Sequence, residues 1–210
     1  MILAIGNSGS LEAKAFSSVK KEVENKGFKM FLFKQDKCLE EEYLFFKIKR
    51  NKPTYNIVIE NKTYDINDFF AIWYLKPQLP KKLLKFEKIE YRHFIQKQFY
   101  SMREALWSLF RHKRWISDPW ATHMAENKIY QLNVASEYFN LPHTLITSKP
   151  EDVLNFYKEH GGNIVVKTLE AVPIIDHVIY TNKVTEEYIK KINSIKMSPS
   201  IFQEIIPKAY

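Results

Sequence analysis

Two lysines stand at positions where a cation could do chemistry. Lys128 follows Glu126 and Asn127 at the start of a predicted helix, an end that already carries partial positive charge. Lys167 comes directly after the apolar run 163–166, so its side chain must reach solvent at a sheet edge or point into a cleft. Taken singly, each lysine is typical of a solvated side chain. If both reach one cavity, they form a two-cation clamp suited to a polyphosphate.

The other residue types that carry chemistry show no clear site in the sequence. The loop Gly-Asn-Ser-Gly-Ser at 6–10 lacks both common phosphate-loop spacings, so Ser8 or Ser10 is predicted to cap the following helix. Cys38 is single, which excludes a disulfide framework and a thiolate zinc site and fits a cytoplasmic location. The histidines show no HxH or HExxH spacing, which argues against a metal site built on imidazoles. They are His93, His112, His123, His143, His160 and His177.

Basic residues are concentrated in one stretch of the sequence. The net charge is +8, but residues 1–118 carry +9 and residues 119–210 carry −1. Residues 76–114 alone contain 11 basic and 3 acidic side chains, a net charge of +8. Such a field attracts nucleic acid, an acidic peptide or nucleotide phosphates, or it is the solvated face of a lysine-rich protein.

The apolar pattern predicts an α/β unit in the first part of the chain. A strand at ILAIG, a helix over 11–26 that ends at Gly27 and a strand at FKMFLF favour parallel pairing. A hairpin around residues 60–62 and a strand at FFAIWYL come next. A long helix over 86–112 follows, with an apolar stripe. The stripe consists of Ile95, Phe99, Met102, Leu106 and Leu109.

The charge reverses after Asp118-Pro119, where we place a domain boundary. A helix is predicted over 123–139, and Ser148 with Glu151 fits a capping box for a later helix. The other elements are predicted in this order: strands at HTLITS, NIVVKT and HVIYT, a short helix near 185–194 and a strand at SIFQEII. The second part is therefore also expected to mix helices with strands.

Several motifs together resemble the ATP-grasp superfamily, and within it the maturases of graspetides, the microviridin-type ribosomal peptides. In chain order they are WYLKP at 73–77, Arg103-Glu104, WISDP at 115–119, ENKxxQL at 126–132, LPHTLIT at 141–147, VKT at 166–168, and FQE at 202–204 with Pro207-Lys208. The resemblance covers nearly the whole chain. It implies a Rossmann-like pre-ATP-grasp domain with a long basic helix over 1–118, followed by an incomplete ATP-grasp central domain over 119–210.

The resemblance also implies site residues. Lys128 and Lys167 are expected to contact the phosphates of ATP. A hinge segment is expected to meet adenine, largely through backbone groups. This segment consists of Gln203, Glu204, Ile205 and Ile206.

The implied chemistry is that of a peptide ligase with ATP and Mg²⁺ as cofactors. Asp or Glu carboxylates of a ribosomal precursor peptide are phosphorylated, and Ser/Thr hydroxyls or a Lys amine attack to form intramolecular esters or amides. A precursor with a leader and an acidic core suits the basic segment 76–114. Lys76, Arg92 and Arg103 are expected to bind it. The resemblance assigns no catalytic residue here, and the Mg²⁺ ligands are expected in a C-terminal lobe.

The sequence departs from the family pattern in several places. Leu75-Lys76 stand where the family has two arginines, and Ser117 stands where asparagine is usual, which affects peptide docking. The loop between Lys167 and His177 contains no glycine, so a phosphate-covering lid there would be stiff. No Glu-x-Asn spacing of metal ligands occurs. The chain is therefore expected to be a truncated ligase, inactive by itself.

A second hypothesis stays open beside the ligase. In it the chain is a non-catalytic protein that binds an acidic peptide or nucleic acid through the basic segment. Under the ligase hypothesis nucleic acid is not an expected partner. A membrane is not expected either, because no run approaches 18 apolar residues. A homodimer is left open.

Overall fold

The chain folds into mixed helices and strands, which confirms the predicted α/β class. The structure, a computed structural model, describes residues 1–9, 11–38, 40–80, 82–83, 88–170 and 180–207. Two compact units form, Met1–Thr122 and His123–Tyr210, and the predicted boundary lies four residues before the observed one. Within the described residues, no helix combines the length and the apolar character needed to cross a membrane.

The first unit contains seven described strands and the first helices. Its elements are β1 (Ile2–Gly6), α1 (Leu11–Asn25), β2 (Met30–Lys34), β3 (Tyr43–Lys49), β4 (Lys52–Ile59), β5 (Lys62–Asp65), β6 (Ala71–Tyr74), α2 (Ile89–Leu109) and β7 (Arg114–Ile116), and α3 (Pro119–Glu126) begins at its end. A parallel sheet has the order β2-β1-β6-β7, and an antiparallel sheet has the order β3-β4-β5. The predicted parallel pairing of the first two strands is thus confirmed.

Local sequence explains the tight turns of the first unit. The predicted hairpin turns at Glu60 and Asn61, both in the left-handed region with φ of 50° and 62°. The β3–β4 hairpin turns in the same way at Arg50 and Asn51. Two consecutive left-handed residues make the two-residue turn whose twist matches antiparallel strands. Helix α1 is followed by Gly27 at φ 83°, as predicted, because glycine enters that region without a steric penalty.

The second unit is built on one antiparallel sheet. Its elements are α4 (Lys128–Ser136), β8 (Thr144–Thr147), α5 (Pro150–Glu159), β9 (Ile164–Thr168), β10 (Asn182–Lys183), α6 (Glu186–Lys190), a 3-10 helix (Ile192–Met197) and β11 (Ser200–Glu204). The strand order is β10-β9-β11-β8. Phe202 on β11 is fully buried in a core that includes Val153 of α5 and Ile164 of β9.

Several sequence predictions about elements were wrong. The helix expected over 123–139 is two helices, because the Asn127 side chain accepts from the backbone N–H groups of Ile129 and Tyr130 and starts α4 anew. The capping box does not form. Lys149 precedes α5, and Thr147 Oγ1 accepts from the Lys149 N–H and donates to Asp152.

The long basic helix exists and buries part of the predicted stripe, since Leu106 is buried as predicted. In α2 the buried side chains are Leu106 and Trp107, whereas Met102 and Leu109 of the predicted stripe are exposed. Strand β3 was not predicted. The expected strand at 177–181 and the glycine-free loop fall largely on residues 171–179, which lie outside the described residues.

Candidate functional site

Lys167 lies in a polar network on one face of the second sheet. Its ammonium donates to Gln203 Oε1 at 2.6 Å, and Gln203 Nε2 donates to Thr144 Oγ1 at 2.9 Å. The Thr144 hydroxyl donates in turn to Pro142 O at 2.8 Å. Because the Thr144 proton is used on Pro142, this oxygen must accept from Gln203, which directs the amide oxygen at the lysine. The network therefore fixes a half-buried cation.

Strand register explains why these side chains meet. Gln203 of β11 pairs with Thr144 of β8 and with Val165 of β9, and Lys167 pairs with Ile201. Residues directly opposite each other in an antiparallel pair point to the same face, as do residues two apart on one strand. Lys167, Gln203 and Thr144 thus share the face opposite to the one that carries Phe202. An ammonium has three donors, so Lys167 can contact an anion while it keeps Gln203.

The Lys128 side chain is anchored at the C-terminal end of β9, the strand that carries Lys167. It is the first residue of α4, and its ammonium donates to the backbone carbonyl of Thr168, the residue after Lys167. The Asn127 side chain holds this helix start by accepting from Ile129 N at 3.0 Å and Tyr130 N at 3.1 Å. The structure therefore brings both predicted lysines to the end of β9. Their joint role as a phosphate clamp stays a prediction.

An open cleft of about 480 Å³ lies beside the start of α4. Lys128 and Asn127 line it together with Leu169 and Glu170. Lys167 is not among the described residues that line this cleft, so the two lysines do not share it as one enclosed cavity. The Lys128 cation and the helix start attract an anion, whereas the two carboxylates that line the cleft, Glu126 and Glu170, repel one.

The four predicted hinge residues lie at the end of β11 and just beyond it. Gln203 is in the lysine network, while the Glu204 N–H donates to His143 O at 3.0 Å and the Ile205 N–H donates to Asn163 O at 2.9 Å. Ile205 and Ile206 are exposed, at 38% and 56%. The segment is thus a strand end whose first residues are hydrogen-bonded to the sheet and whose last two are accessible.

The predicted substrate residues all lie in the first unit. Lys76 is exposed after β6 and has a left-handed φ of 46°. Arg92 and Arg103 are half-buried on α2 and eleven residues apart, which places them on the same helix face roughly 16 Å apart along the axis.

Arg103 has a distinctive environment. Its guanidinium carbon lies 4.7 Å from the Tyr100 ring centre and 4.8 Å from that of Trp107. Its Nε–H is buried and has no hydrogen-bond partner among the described residues. Arg103 also lines a small apolar cavity of about 100 Å³ with Cys38 and Tyr43. A stacked cation whose buried donor meets no acceptor within the described ranges is suited to a carboxylate or a carbonyl oxygen.

The remaining candidates from the sequence are Ser8, Ser10 and Cys38. Ser8 bonds to Asp36, its N–H at 2.7 Å from Oδ1 and its hydroxyl donating to Oδ2, and its capping of α1 stays a prediction. Ser10 lies outside the described residues. Cys38 is half-buried as expected, and burial raises its thiol pKa to about 11. A thiol of this kind is protonated at neutral pH and is a poor nucleophile.

Sequence reasoning missed one cluster. His143, His160 and Glu204 place one ligand atom each within 4.8 Å of the others. The expectation that imidazoles form no site rested on sequence spacing, whereas these residues meet through the antiparallel pairing of β8 with β11 and the end of α5. The predicted β8 and β11 strands were the available signal, but only their register places His143 beside Glu204.

No family model and no curated protein matches the amino-acid sequence. Solved structures do match. The macrocyclase MdnC bound with precursor peptide MdnA, from Microcystis aeruginosa, is 25% identical with a TM-score of 0.80, covering 99% of this chain and 66% of that chain. A RiPP-associated ATP-grasp ligase from Chryseobacterium gregarium, in complex with ADP and a leader and core peptide, is 20% identical with a TM-score of 0.73 over 97% and 62%.

The macrocyclase MdnB from Microcystis aeruginosa is 24% identical with a TM-score of 0.73 over 99% of this chain and 68% of that chain. The chain thus spans about two thirds of the length of these structures. The similarities confirm the predicted resemblance to ATP-grasp maturases of ribosomal peptides, and they confirm the fold class over essentially the whole chain.

Proposed function

We propose that this chain supplies nucleotide-binding and peptide-binding parts of an ATP-dependent peptide ligase. The ligase would activate Asp or Glu side chains of a precursor peptide as acyl phosphates and join them to hydroxyls or an amine as intramolecular esters or amides. The observation that carries the proposal is the Lys167–Gln203–Thr144 network at the start of the predicted hinge. The similarity to macrocyclase MdnC, with 25% identity and a TM-score of 0.80, supports the proposal as well.

Several features of the described residues support a nucleotide site. Lys128 and Lys167 supply two ammonium groups at the end of β9, each already oriented by one acceptor, Thr168 O or Gln203 Oε1. Pre-oriented cations lose little freedom when they meet a phosphate, so their charge is available for binding. Ile205 and Ile206 offer exposed backbone and apolar surface for a base. Bound ATP with Mg²⁺ would supply the phosphoryl group that activates the carboxylate.

We assign binding of the precursor peptide to residues of the first unit. Arg103, whose buried Nε–H has no partner in the part of the chain that the structure describes, and the accessible Lys76 would bind acidic or carbonyl groups of the precursor. The net charge of +8 over residues 76–114 would attract an acidic core and speed its encounter with the enzyme.

Isothermal titration calorimetry with Mg²⁺–ADP and Mg²⁺–ATP tests the nucleotide proposal. The parent chain should bind, and Lys167→Ala should bind roughly ten- to a hundredfold more weakly, because hydrogen bonds to charged groups contribute about 1.5–3 kcal/mol. Lys183→Ala is the matched control, since Lys183 is an exposed lysine on β10 of the same sheet. Equal binding by Lys167→Ala and the parent would remove the assigned role.

The same titrations separate the ligase from a non-catalytic binding protein. The latter predicts no nucleotide binding but firm binding of an acidic peptide or nucleic acid. Nucleic-acid affinity should then fall steeply with salt, in proportion to the phosphates neutralised. The ligase proposal predicts nucleotide binding that depends on Lys167, whatever the peptide affinity.

A further inference from the structure

Three side chains without a role in the proposed function converge at one edge of the second unit, one of them that of Glu204, whose backbone belongs to the predicted hinge. His143 directly precedes β8, His160 follows the last residue of α5, and Glu204 ends β11. His143 Nδ1 lies 3.2 Å from His160 Nε2, and His160 Nε2 lies 3.9 Å from Glu204 Oε2. Three potential metal ligands from three separate elements thus face one point.

These separations suit a tetrahedral transition-metal ion. Zn²⁺ binds imidazole nitrogen at 2.0–2.1 Å and carboxylate oxygen at about 2.0–2.2 Å, so two ligand atoms at the tetrahedral angle lie roughly 3.3–3.5 Å apart. The observed 3.2 Å between the imidazole nitrogens is within about 0.2 Å of that distance. The carboxylate lies 3.9 Å from His160 Nε2 and within 4.8 Å of the His143 ligand atom, so it must approach both nitrogens, which a Glu side chain achieves by torsional changes.

Two hydrogen bonds orient the ligand atoms of His160 and Glu204. His160 Nδ1 lies 2.9 Å from the backbone oxygen of Phe156, and since a carbonyl only accepts, this nitrogen carries the proton and Nε2 presents its lone pair. Glu204 Oε1 accepts from the His143 backbone N–H at 2.8 Å, which leaves Oε2 toward His160. Such outer contacts, which fix the tautomer and orient the carboxylate, accompany metal ligands in proteins.

The backbone holds the three positions together without a metal. Glu204 N donates to His143 O at 3.0 Å, Asn163 N donates to His160 O at 3.0 Å, and Ile205 N donates to Asn163 O at 2.9 Å. His160 and Glu204 are partly buried, while His143 is exposed and leaves a route for an ion. The cluster is therefore pre-organised and accessible.

The cluster is separate from the lysine network. Gln203 and Glu204 are consecutive in β11, and consecutive strand residues point to opposite faces. Gln203 bonds Lys167 on one face, and Glu204 meets the histidines on the other, at the end of the layer that contains α5. An ion at the cluster would not need a bound nucleotide.

We propose that His143, His160 and Glu204 bind a divalent transition-metal ion of the Zn²⁺ class, with water as the fourth ligand. Two imidazoles and one carboxylate favour Zn²⁺ over Mg²⁺ or Ca²⁺, which take oxygen ligands. The ion links the end of α5 to strands β8 and β11, and binding to the folded state alone stabilises that state. Without it, the His143 Nδ1–H donates to His160 Nε2.

Tag-free protein, stripped with EDTA, is titrated with Zn²⁺ in competition with a chromophoric chelator, and separately with Co²⁺. One equivalent should bind, Co²⁺ should give the visible absorption of a tetrahedral site, and Zn²⁺ should raise the midpoint of thermal unfolding. His143→Ala should weaken Zn²⁺ binding by at least roughly tenfold and remove the Co²⁺ band. The control His93→Ala, on helix α2, should leave both unchanged.

Equal Zn²⁺ affinity in His143→Ala and the parent, or no Co²⁺ band in a folded parent, would overturn the site. Since His143 is exposed, its variant should fold, and circular dichroism of the metal-free protein verifies this. Nucleotide titrations keep this site distinct from the proposed function. His143→Ala should bind Mg²⁺–ADP like the parent, and Lys167→Ala should bind Zn²⁺ like the parent.

Discussion

Lys167 on β9 and Gln203 on β11 are joined by a hydrogen bond of 2.6 Å between Nζ and Oε1. A double-mutant cycle with Lys167→Met and Gln203→Leu, followed by urea unfolding in the absence of nucleotide, should give a coupling energy of about 1–2 kcal/mol. This value lies near the lower end for a bond to a charged group because the pair is half-buried. Additivity of the two changes would mean that the bond contributes nothing to the resting structure.

Asn127 determines where α4 begins and hence where Lys128 stands. Asn127→Ala should lower the free energy of unfolding by about 0.5–2 kcal/mol, since it removes the acceptor for the N–H groups of Ile129 and Tyr130. Asn127→Asp retains an acceptor and should restore most of the loss. Asn133→Ala makes the same change within α4 and controls for it. A loss no larger for Asn127→Ala than for Asn133→Ala, in urea unfolding, would contradict the assigned cap.

Arg103 should show the signature of a binding residue rather than a structural one. Arg103→Met keeps the length of the side chain and its packing near Tyr100 and Trp107, and it removes the buried donor that has no partner among the described residues. Stability should therefore change by less than about 1 kcal/mol in either direction, because the loss of the cation–π contacts offsets the removal of a buried donor that lacks a partner among the described residues. Binding of a fluorescent, Glu-rich synthetic peptide, measured by anisotropy, should weaken.

Lys97→Met, an exposed site on the same helix, is the matched control for the loss of one charge. Its effect on peptide binding should be smaller and should vanish as salt rises, because exposed charges are screened. The opposite pattern, a stability loss in Arg103→Met with unchanged peptide binding, would make Arg103 a structural residue.

The sequence predicts the elements with strong patterns and fails where a side chain overrides the pattern. ILAIG and the Gly27 helix end were identifiable because an all-apolar strand and an exit glycine each have one main structural cause. The break at Asn127 was missed because the residues on both sides continue to favour helix. Only the two hydrogen bonds of the Asn127 side chain distinguish a new start from a continuation.

Contacts between residues far apart in the chain could not be predicted from the sequence for the candidate site either. Lys128 and Lys167 were identified from their positions in elements and from a family resemblance. Their acceptors, Thr168 O and Gln203 Oε1, depend on strand register. His143 and Glu204 are 61 residues apart, so no local spacing could associate them.

Glu42 provides a pH-dependent prediction. Its side chain is 1% exposed, and burial raises its pKa, opposed by the hydrogen bond from Lys34 N at 2.5 Å and by the Lys34 ammonium at 3.5 Å. The charge of Glu60 adds to the rise. A carboxyl whose folded pKa exceeds its unfolded value, roughly 4.3, binds its proton more tightly in the folded state. Its contribution to stability therefore falls as pH rises through the folded pKa.

Glu42→Gln removes this titration while it keeps an acceptor for Lys34 N. The difference in unfolding free energy, variant minus parent, should increase as pH rises from about 4 and should level off above the folded pKa. Urea unfolding at a series of pH values measures it, because all other titrating groups cancel in the difference. Glu41→Gln changes the exposed neighbouring carboxylate and controls for the lost charge. A difference that decreases with pH would mean that the Lys34 ion pair outweighs the cost of burying the Glu42 charge.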